Sequence, residues 1–500
     1  MNTDVFSVKG LKIFDLAIIG GGVNGTAIAR DAAGRGFSVA LFERNDLASG
    51  TSSSSTKLIH GGLRYLEYGE LKLVKKALAE REVFLKTAPH IVSPMRFVLP
   101  VGENTRPAWM VRLGLGLYDQ LARRDVLADS EKIDFKVHEF GKPLFGNYTQ
   151  GFAYSDCWVD DARLVVLQAV DAVRNGAQVF TRTGVRDITP ASGGWEIETE
   201  HNQRIGARMV VNAGGPWVRQ ILDSSGLSTP TTPKIRLVRG SHIVVPAIYE
   251  GEQSYLMQQP DGRVVFAIPY EGRFTLIGTT DVEHAADQQP VCTEEEAQYL
   301  CDAANRYFEK QTGKEQIVWS YSGVRPLFDD GRGKPAAVTR DYHFYRQMHG
   351  DSPILSIYGG KITTARALAD AAMEEIEGVL GNRAQSWTAT TTLPGGDLIE
   401  GDFPEFVADM AAMYHWLEAE TLLRMARAYG TWATRILGAA TGPSQLGRDF
   451  GGGLFEAEVE YLRGVEWAVT AEDILWRRSK LGLHVGADTV SALKRHLGES

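Results

Sequence analysis

The sequence predicts an α/β protein in three parts. An N-terminal strand, glycine turn and helix has the form of a dinucleotide-binding unit, a middle region carries antiparallel-sheet patterning, and the chain turns helical from about residue 400. Three observations carry this. Glycines spaced G-x-G-x-x-G sit between an apolar strand and a helix. Runs of β-branched and aromatic residues between residues 235 and 283 are punctuated by turns. After the stretch "TTTLPGGDLIEGDFPEF", apolar residues recur at three- and four-residue spacing. With 500 residues, 44% of them hydrophobic, the chain can bury a large core and exceeds a single simple domain.

The charge balance, 53 basic against 62 acidic residues for a net charge of -9, gives no general attraction to nucleic acid, which is excluded as a first expectation. Cys157, Cys292 and Cys301 are odd in number and lack CxxC spacing, so neither a disulfide framework nor a zinc site is expected, and a reducing cytoplasm fits. The start "MNTDVFSVKGLKIFDLAIIGGG" lacks the features of a signal peptide, and no uninterrupted apolar stretch approaches about 20 residues. The expectation is a soluble chain, or one attached only at a membrane surface.

In "DLAIIGGGVNGTAIARDAAGRGFSVALFER" a strand at 16–19 precedes a helix at 23–34. Gly20 permits the tight turn, Gly22 the close approach of a pyrophosphate and Gly25 the packing of helix on strand, with Asn24 between them. The phosphates would sit at the helix N-terminus. A second strand, "SVALF", ends in Glu43, 18 residues after Gly25, where a carboxylate would accept from ribose hydroxyls. This Rossmann-like fingerprint does not separate NAD from FAD.

The stretch "GTSSSSTKLIHGGLRYL" begins like a linker but runs into Leu58, Ile59, Leu63, Tyr65 and Leu66, so it is expected to be packed down. Short hydroxyls and glycines let donors converge on phosphate or ring-carbonyl oxygens. Arg64 and Tyr65 add a cation and a phenol at the end of the loop; a family resemblance carried by this and later stretches implies that Thr51 to Lys57, Ser52 and Ser53 among them, donate along a cofactor's phosphates, that Leu58, His60, Gly61 and Gly62 lie close to its ring, and that Arg64 and Tyr65 reach the substrate. His60 taken alone reads as a packed, hydrogen-bonding histidine rather than a catalytic one.

Together with the fingerprint, "SSSSTKLIHGGLRYLE", "YSDCWVDDARLV", "GSHIVVP", "IGTTDVE", "YSGVRPL" and "YGGKITTARALAD" resemble the FAD-dependent aerobic, respiratory glycerol-3-phosphate dehydrogenases, within the flavoproteins similar to D-amino-acid oxidase. The resemblance runs from about residue 13 to the C-terminus. It implies FAD, in a domain assembled from residues 13–90, 150–232 and 320–395, a substrate domain from 91–149 and 233–319, and a helical domain at 396–500. It also implies that the backbone at Val185 contacts the adenine and that the strand "ARMVVNAGGPWV" breaks at Ala213 and Gly214 to pass the ligand before Trp217 packs. Near the end, "PILSIYGGKITTARALADAA" reads as strand, glycine turn and helix, with Thr363 and Thr364 placed to cap. Gly360, Lys361, Ile362 and Thr363 would then present a helix N-terminus to the flavin around N1 and O2. The later cluster "DFGGGLFE" follows no strand and reads as a loop. Without a second fingerprint there is no NAD(P)H site, so electrons are expected to reach quinone or oxygen.

A small phosphorylated substrate needs fixed cations, and Arg supplies a planar, permanently charged fork. Arg325 in "SGVRPL" and Arg340 in "AVTRD" match the family's substrate contacts, as do Arg64, Tyr65 and Thr279. Oxidation of a secondary alcohol also needs a base for the hydroxyl proton. His242 in "GSHIVV" is the candidate; Lys361 could polarise the oxygen or act as base if burial lowers its pKa. Arg325 would orient the substrate and stabilise the developing alkoxide.

The C-terminal helices carry no catalytic constellation. "RPAWMVRLGLGLYDQLARR" places Trp109, Met110, Leu113, Leu115 and Leu117 among Arg106, Arg112, Arg123 and Arg124, which reads either as an interfacial helix or as a domain-packing one. The implied activity is oxidation of sn-glycerol 3-phosphate to dihydroxyacetone phosphate with electrons passed to quinone, by an enzyme peripheral on the inner face of the cell membrane; the resemblance leaves room for a homodimer. A glycerol-3-phosphate oxidase making peroxide, an amine or 2-hydroxy-acid oxidase of the same fold, and a non-catalytic flavin-binding subunit are the alternatives.

Overall fold

The computed structural model describes residues 11–103, 105–122, 124–285, 288–329 and 341–499. The strand Ile13–Ile19 runs into the helix Val23–Gly34 and pairs in parallel with Val39–Phe42 on one side and Arg204–Asn212 on the other. Gln178–Phe180 and Ser352–Tyr358 extend the sheet in parallel, and His343–His349 closes one edge antiparallel. The central strands are mostly apolar because both faces are covered. Leu16, Ile18, Leu41, Met209 and Val211 pack against Ile28, Ala372 and Met373 of the helices Val23–Gly34 and Ala365–Leu380. On the other face, Ala17, Phe42 and Val210 pack with Trp195 and Ile197 of a hairpin laid on Arg204–Asn212.

A second, largely antiparallel sheet is built around Ile235–Pro246, all 12 residues of the predicted segment. This strand pairs with Trp319–Phe328 on one side and Phe274–Gly278 on the other. The register sets His242 opposite Tyr321 and Gly278, and Val238 opposite Arg325, so three sequence-distant motifs meet on adjacent strands. Leu58–Ile59, Gln150–Val159 and Trp319–Phe328 are hydrogen-bonded into this sheet, although the sequence division groups them with the cofactor segments. Period-two patterning identifies a strand but not the sheet it joins.

The C-terminal region is helical, as expected: Phe403–Met413, Ala419–Tyr429, Ala433–Leu437, Glu456–Glu466 and Ala487–Leu497. Its core is continuous with Val165, Val166 and Ala169 of the helix Asp161–Arg174. Buried ion pairs add specific ties, Arg163 Nη2 to Glu466 Oε1 at 2.9 Å and Arg478 Nη1 to Asp46 Oδ2 at 2.8 Å. Within "EAETLLRMARAYGTWATRIL" the helix breaks at Gly430 because the chain there crosses Gly395: a Cβ on Gly430 would lie 1.9 Å from the Gly395 carbonyl oxygen. "DFGGGLFE" is a loop with Gly451, Gly452 and Gly453 all at positive φ. Among the described residues no helix is long and apolar enough to cross a membrane.

Candidate functional site

A cavity of about 1480 Å³ is lined by residues of both sheets. At its Rossmann-like end, the fingerprint glycines have separable reasons. A Cβ on Gly25 would stand 1.9 Å from the Gly20 carbonyl oxygen, and one on Gly20, which has φ +115°, would stand 2.5 Å from the Ala213 carbonyl oxygen. Gly22 meets only Ser52 Oγ, at 3.1 Å, so its bare backbone borders the cavity. Glu43 ends the second strand with its carboxylate accepting from Gly21 N (2.7 Å) and Asn45 N (2.8 Å), while burial pushes its pKa up against those two bonds. Val185, Ala213, Gly214 and Trp217 also line this end. Trp217 does not pack into the core: it is 47% exposed at the cavity, over Gly50.

The serine/threonine run divides by side. Ser52 Oγ accepts from Val23 N in the first turn of the fingerprint helix (3.0 Å), and Thr51 Oγ1 donates to the Val324 carbonyl (2.6 Å). Thr51, Ser52 and Leu58 line the cavity; Ser53 and Lys57 do not. The Lys57 ammonium is fully buried and points away, donating to Asp161 Oδ1 (2.8 Å) and to the Ser53 carbonyl (3.1 Å).

Past the run, His60 and Gly62 line the cavity. The His60 amide donates to Thr363 Oγ1 (3.3 Å), and Lys361 Nζ lies 3.4 Å from the His60 carbonyl and 5.0 Å from the centre of the Tyr65 ring. Gly360, Lys361, Ile362 and Thr363 line the same wall, and Asn24 Nδ2 donates to the Gly359 carbonyl at 3.2 Å. The expected caps are not formed: a tight turn, Ile362–Thr364, precedes the helix, and Thr364 Oγ1 bonds back to the Lys361 carbonyl (3.4 Å).

Opposite stand the polar groups of the second sheet. Arg325 donates from Nη1 to Asp281 Oδ1 (2.5 Å) and from Nη2 to Thr279 Oγ1 (3.1 Å). His242 is 1% exposed, stacks on Tyr321 at 4.8 Å and has Nε2 3.0 Å from Thr56 Oγ1. Burial, then the positive charges of Arg325 and Lys57, hold its pKa well below the usual imidazole range, so the ring is neutral at pH 7. Arg64 and Tyr65 also line the cavity; Arg340 lies outside the described residues. Sequence reasoning placed Thr56 along the phosphates and missed its contact with His242, and it missed Asp281 and two glycines. A Cβ on Gly240 would stand 2.4 Å from Arg325 Nη2, and one on Gly278 2.0 Å from His242 Cδ2, so each makes room for a polar side chain. "RGSH" and "IGTT" held that signal, readable only once the strands are paired.

Residues 15–366 match the family model of the FAD-dependent oxidoreductases, and residues 386–497 match the C-terminal domain of alpha-glycerophosphate oxidase. The glycerol-3-phosphate dehydrogenase of Pseudomonas aeruginosa is 48% identical, over 97% of this chain and 95% of the relative. This chain belongs to the FAD-dependent glycerol-3-phosphate dehydrogenase family. The D-erythritol 1-phosphate dehydrogenase of Brucella abortus is 48% identical as well, over 94% of this chain and 95% of that one. Among solved structures, the Bacillus halodurans glycerol-3-phosphate dehydrogenase complexed with FAD superposes with a TM-score of 0.76 at 26% identity, covering 97% of this chain and 89% of that chain.

The cavity of this dehydrogenase-family chain fits FAD on its own features. Gly22 leaves backbone bare at a helix N-terminus, and Asn24 Oδ1 is buried without a protein partner among the described residues. The donor set around Ser52, Gly360 and Thr363 suits phosphate and ring-carbonyl oxygens.

Proposed function

We propose that this enzyme oxidises sn-glycerol 3-phosphate to dihydroxyacetone phosphate and passes the electrons to quinone at the inner face of the cell membrane. FAD, when bound, supplies the two-electron acceptor. The adenosine half is held by Gly20, Gly22, Glu43, Val185 and Ala213, and the ring end by His60, Gly62 and Gly360 to Thr363. Arg325, Thr279, Arg64, Tyr65 and Arg340 bind the substrate, with the Arg325 fork set by Asp281. His242 takes the hydroxyl proton. In the tautomer where Nε2–H donates to Thr56, the lone pair is on Nδ1. Lys361 polarises the substrate oxygen. The observation that carries this reading is the pairing of a neutral imidazole with a fixed guanidinium on adjacent strands, at a cavity whose other wall is the Rossmann-like unit.

The acceptor half rests on the apolar lining of the same cavity, to which Leu63, Leu66, Leu99, Val111, Leu256 and Phe266 contribute. The helix Ala108–Gln120 contributes Met110, Leu113 and Leu117 to it and holds Trp109 and Leu113 at 66% and 69% exposure. Arg112 is exposed beside them, whereas Arg106 pairs with Glu67 and Arg124 with Asp119 and Asp129.

The equal identity to the erythritol-phosphate enzyme favours one second reading, a four-carbon polyol phosphate. Anaerobic titration of the yellow enzyme with each phosphate, and with glycerol, glycine and 2-hydroxy acids, tests both: bleaching by glycerol 3-phosphate at the lowest concentration is expected, and no bleaching by it overturns the proposal. Quinone reduction against peroxide yield then decides the acceptor.

A further inference from the structure

Outside the residues assigned to cofactor and substrate, a chain of buried polar groups ends on the loop at 60–62. Arg81 donates from Nη1 to Asp156 Oδ1 (2.8 Å) and to the Ser155 carbonyl (2.9 Å). The Tyr118 phenol lies 2.9 and 2.7 Å from the two Asp156 oxygens, and the same phenol oxygen accepts from the Gly61 N–H at 2.8 Å. All three side chains are almost wholly buried, Arg81 and Asp156 at 1% and Tyr118 at 3% exposure.

The direction of this chain follows from its chemistry. A carboxylate only accepts and a phenol has one proton, so Asp156 takes that proton and leaves the phenol oxygen's lone pairs for Gly61. Arg81 fixes the carboxylate in turn, through a charge-assisted bond. The loop is pressed against this anchor: a Cβ on Gly61 would fall 2.6 Å from the phenol oxygen and 2.7 Å from Leu78 Cδ2. Its neighbours His60 and Gly62 line the cavity instead, and His60 is tied by its amide to Thr363 and by its carbonyl to Lys361. The loop is therefore held from behind by Tyr118 and from the other side by the Lys361–Thr363 turn.

We propose that Tyr118 is a positioning residue: its phenol, oriented by Asp156 and Arg81, fixes the Gly61 amide and with it the cavity-facing backbone of His60 and Gly62. This rests on the reading of that backbone as the flavin's neighbour. The phenol reaches neither substrate nor cofactor; it acts through the loop.

The test uses the FAD-loaded Tyr118→Phe enzyme, which keeps the ring and its edge contact with Tyr154 (centroids 5.8 Å apart) and removes only the oxygen. Expected are faster hydrogen exchange in the peptide spanning Gly61, a shifted flavin midpoint potential, and a limiting rate of anaerobic flavin reduction lower by about tenfold, with the dissociation constant of glycerol 3-phosphate within about twofold. Exchange, potential and limiting rate equal to wild type overturn the proposal, as does a lower Tm with the limiting rate unchanged. If Tyr118→Phe does not retain FAD, Asp156→Ala removes the acceptor of the phenol proton while keeping the phenol. Faster Gly61 exchange and slower reduction are then expected, and unchanged values overturn the proposal. Wild-type enzyme that fails to bleach with glycerol 3-phosphate counts against the substrate reading alone, because exchange and potential still decide the role of Tyr118.

Discussion

His242 Nε2 lies 3.0 Å from Thr56 Oγ1, joining the second sheet to the serine/threonine run across 186 residues of sequence. The contact orients an imidazole that burial and two nearby cations keep neutral. As the proposed base, His242 works only while unprotonated. The rate of flavin reduction is therefore expected to stay level as pH falls through 6.5 and to drop only well below it. His242→Gln is expected to slow anaerobic flavin reduction by about 10²- to 10⁴-fold, with substrate affinity changed far less. Stopped-flow reduction at the wild-type rate would remove His242 from the mechanism.

The same run contains a residue whose contribution is to stability. Lys57 and Asp161 pair at 2.8 Å with neither side chain exposed. Burial pulls the Lys57 pKa down and Asp161 opposes it, so the pair stays charged only as a pair. Lys57→Met leaves the buried Asp161 carboxylate without its counter-charge, held only by the Ser55 and Ala162 hydrogen bonds, and is expected to cost about 3–5 kcal/mol in urea unfolding, part of it recovered by Lys57→Met combined with Asp161→Leu. A loss below about 1 kcal/mol would place the pair among the weak ones.

The parts of this fold visible in the sequence were those set by local pattern. The fingerprint strand, turn and helix formed at Ile13–Ile19 and Val23–Gly34, and "IRLVRGSHIVVP" formed one strand, because glycine spacing and apolar periodicity are decided within a few residues. What depended on long-range contact was hidden. Gly430 ends a helix because another backbone crosses it, Thr364 fails to cap because a tight turn intervenes, and Lys57 turns inward because Asp161, 104 residues on, is there to receive it. Gly240 and Gly278 stand in "RGSH" and "IGTT", but those stretches do not show by themselves what the glycines make room for. Their meaning lies in the strand register that brings Arg325 and His242 beside them.

A buried histidine outside the cavity predicts acid sensitivity. His90 is 3% exposed, and burial, followed by the charge of Arg163, pulls its pKa from 6.5 to about 3. Between these values the unfolded chain binds a proton that the folded chain does not, so the His90 contribution is complete above pH 6.5 and is lost progressively as pH falls toward 3. The slope is about 1.4 kcal/mol per pH unit. His90→Gln should be less stable than wild type at pH 7, with the gap narrowing at pH 6 and 5. Parallel stability curves for the two proteins would refute the assignment.

The helix Ala108–Gln120 buries Val111, Leu115 and Tyr118 and leaves Trp109, Met110, Leu113 and Leu117 outward, so it serves as a packing element and still presents an apolar face. Because that face continues into the apolar lining of the cavity, lipid contact there would bring a membrane-dissolved acceptor to the site without a spanning segment. With Arg106 and Arg124 engaged in ion pairs, the apolar residues rather than the arginines are expected to dominate binding. Trp109→Ser with Leu113→Ser should strongly reduce flotation with vesicles containing anionic lipid, whereas Arg112→Gln should have a smaller effect that disappears at high salt. Bleaching of the flavin by glycerol 3-phosphate should persist in both, since neither change touches Arg325 or His242. Full flotation of the double serine variant would move the membrane-contacting surface elsewhere on the protein.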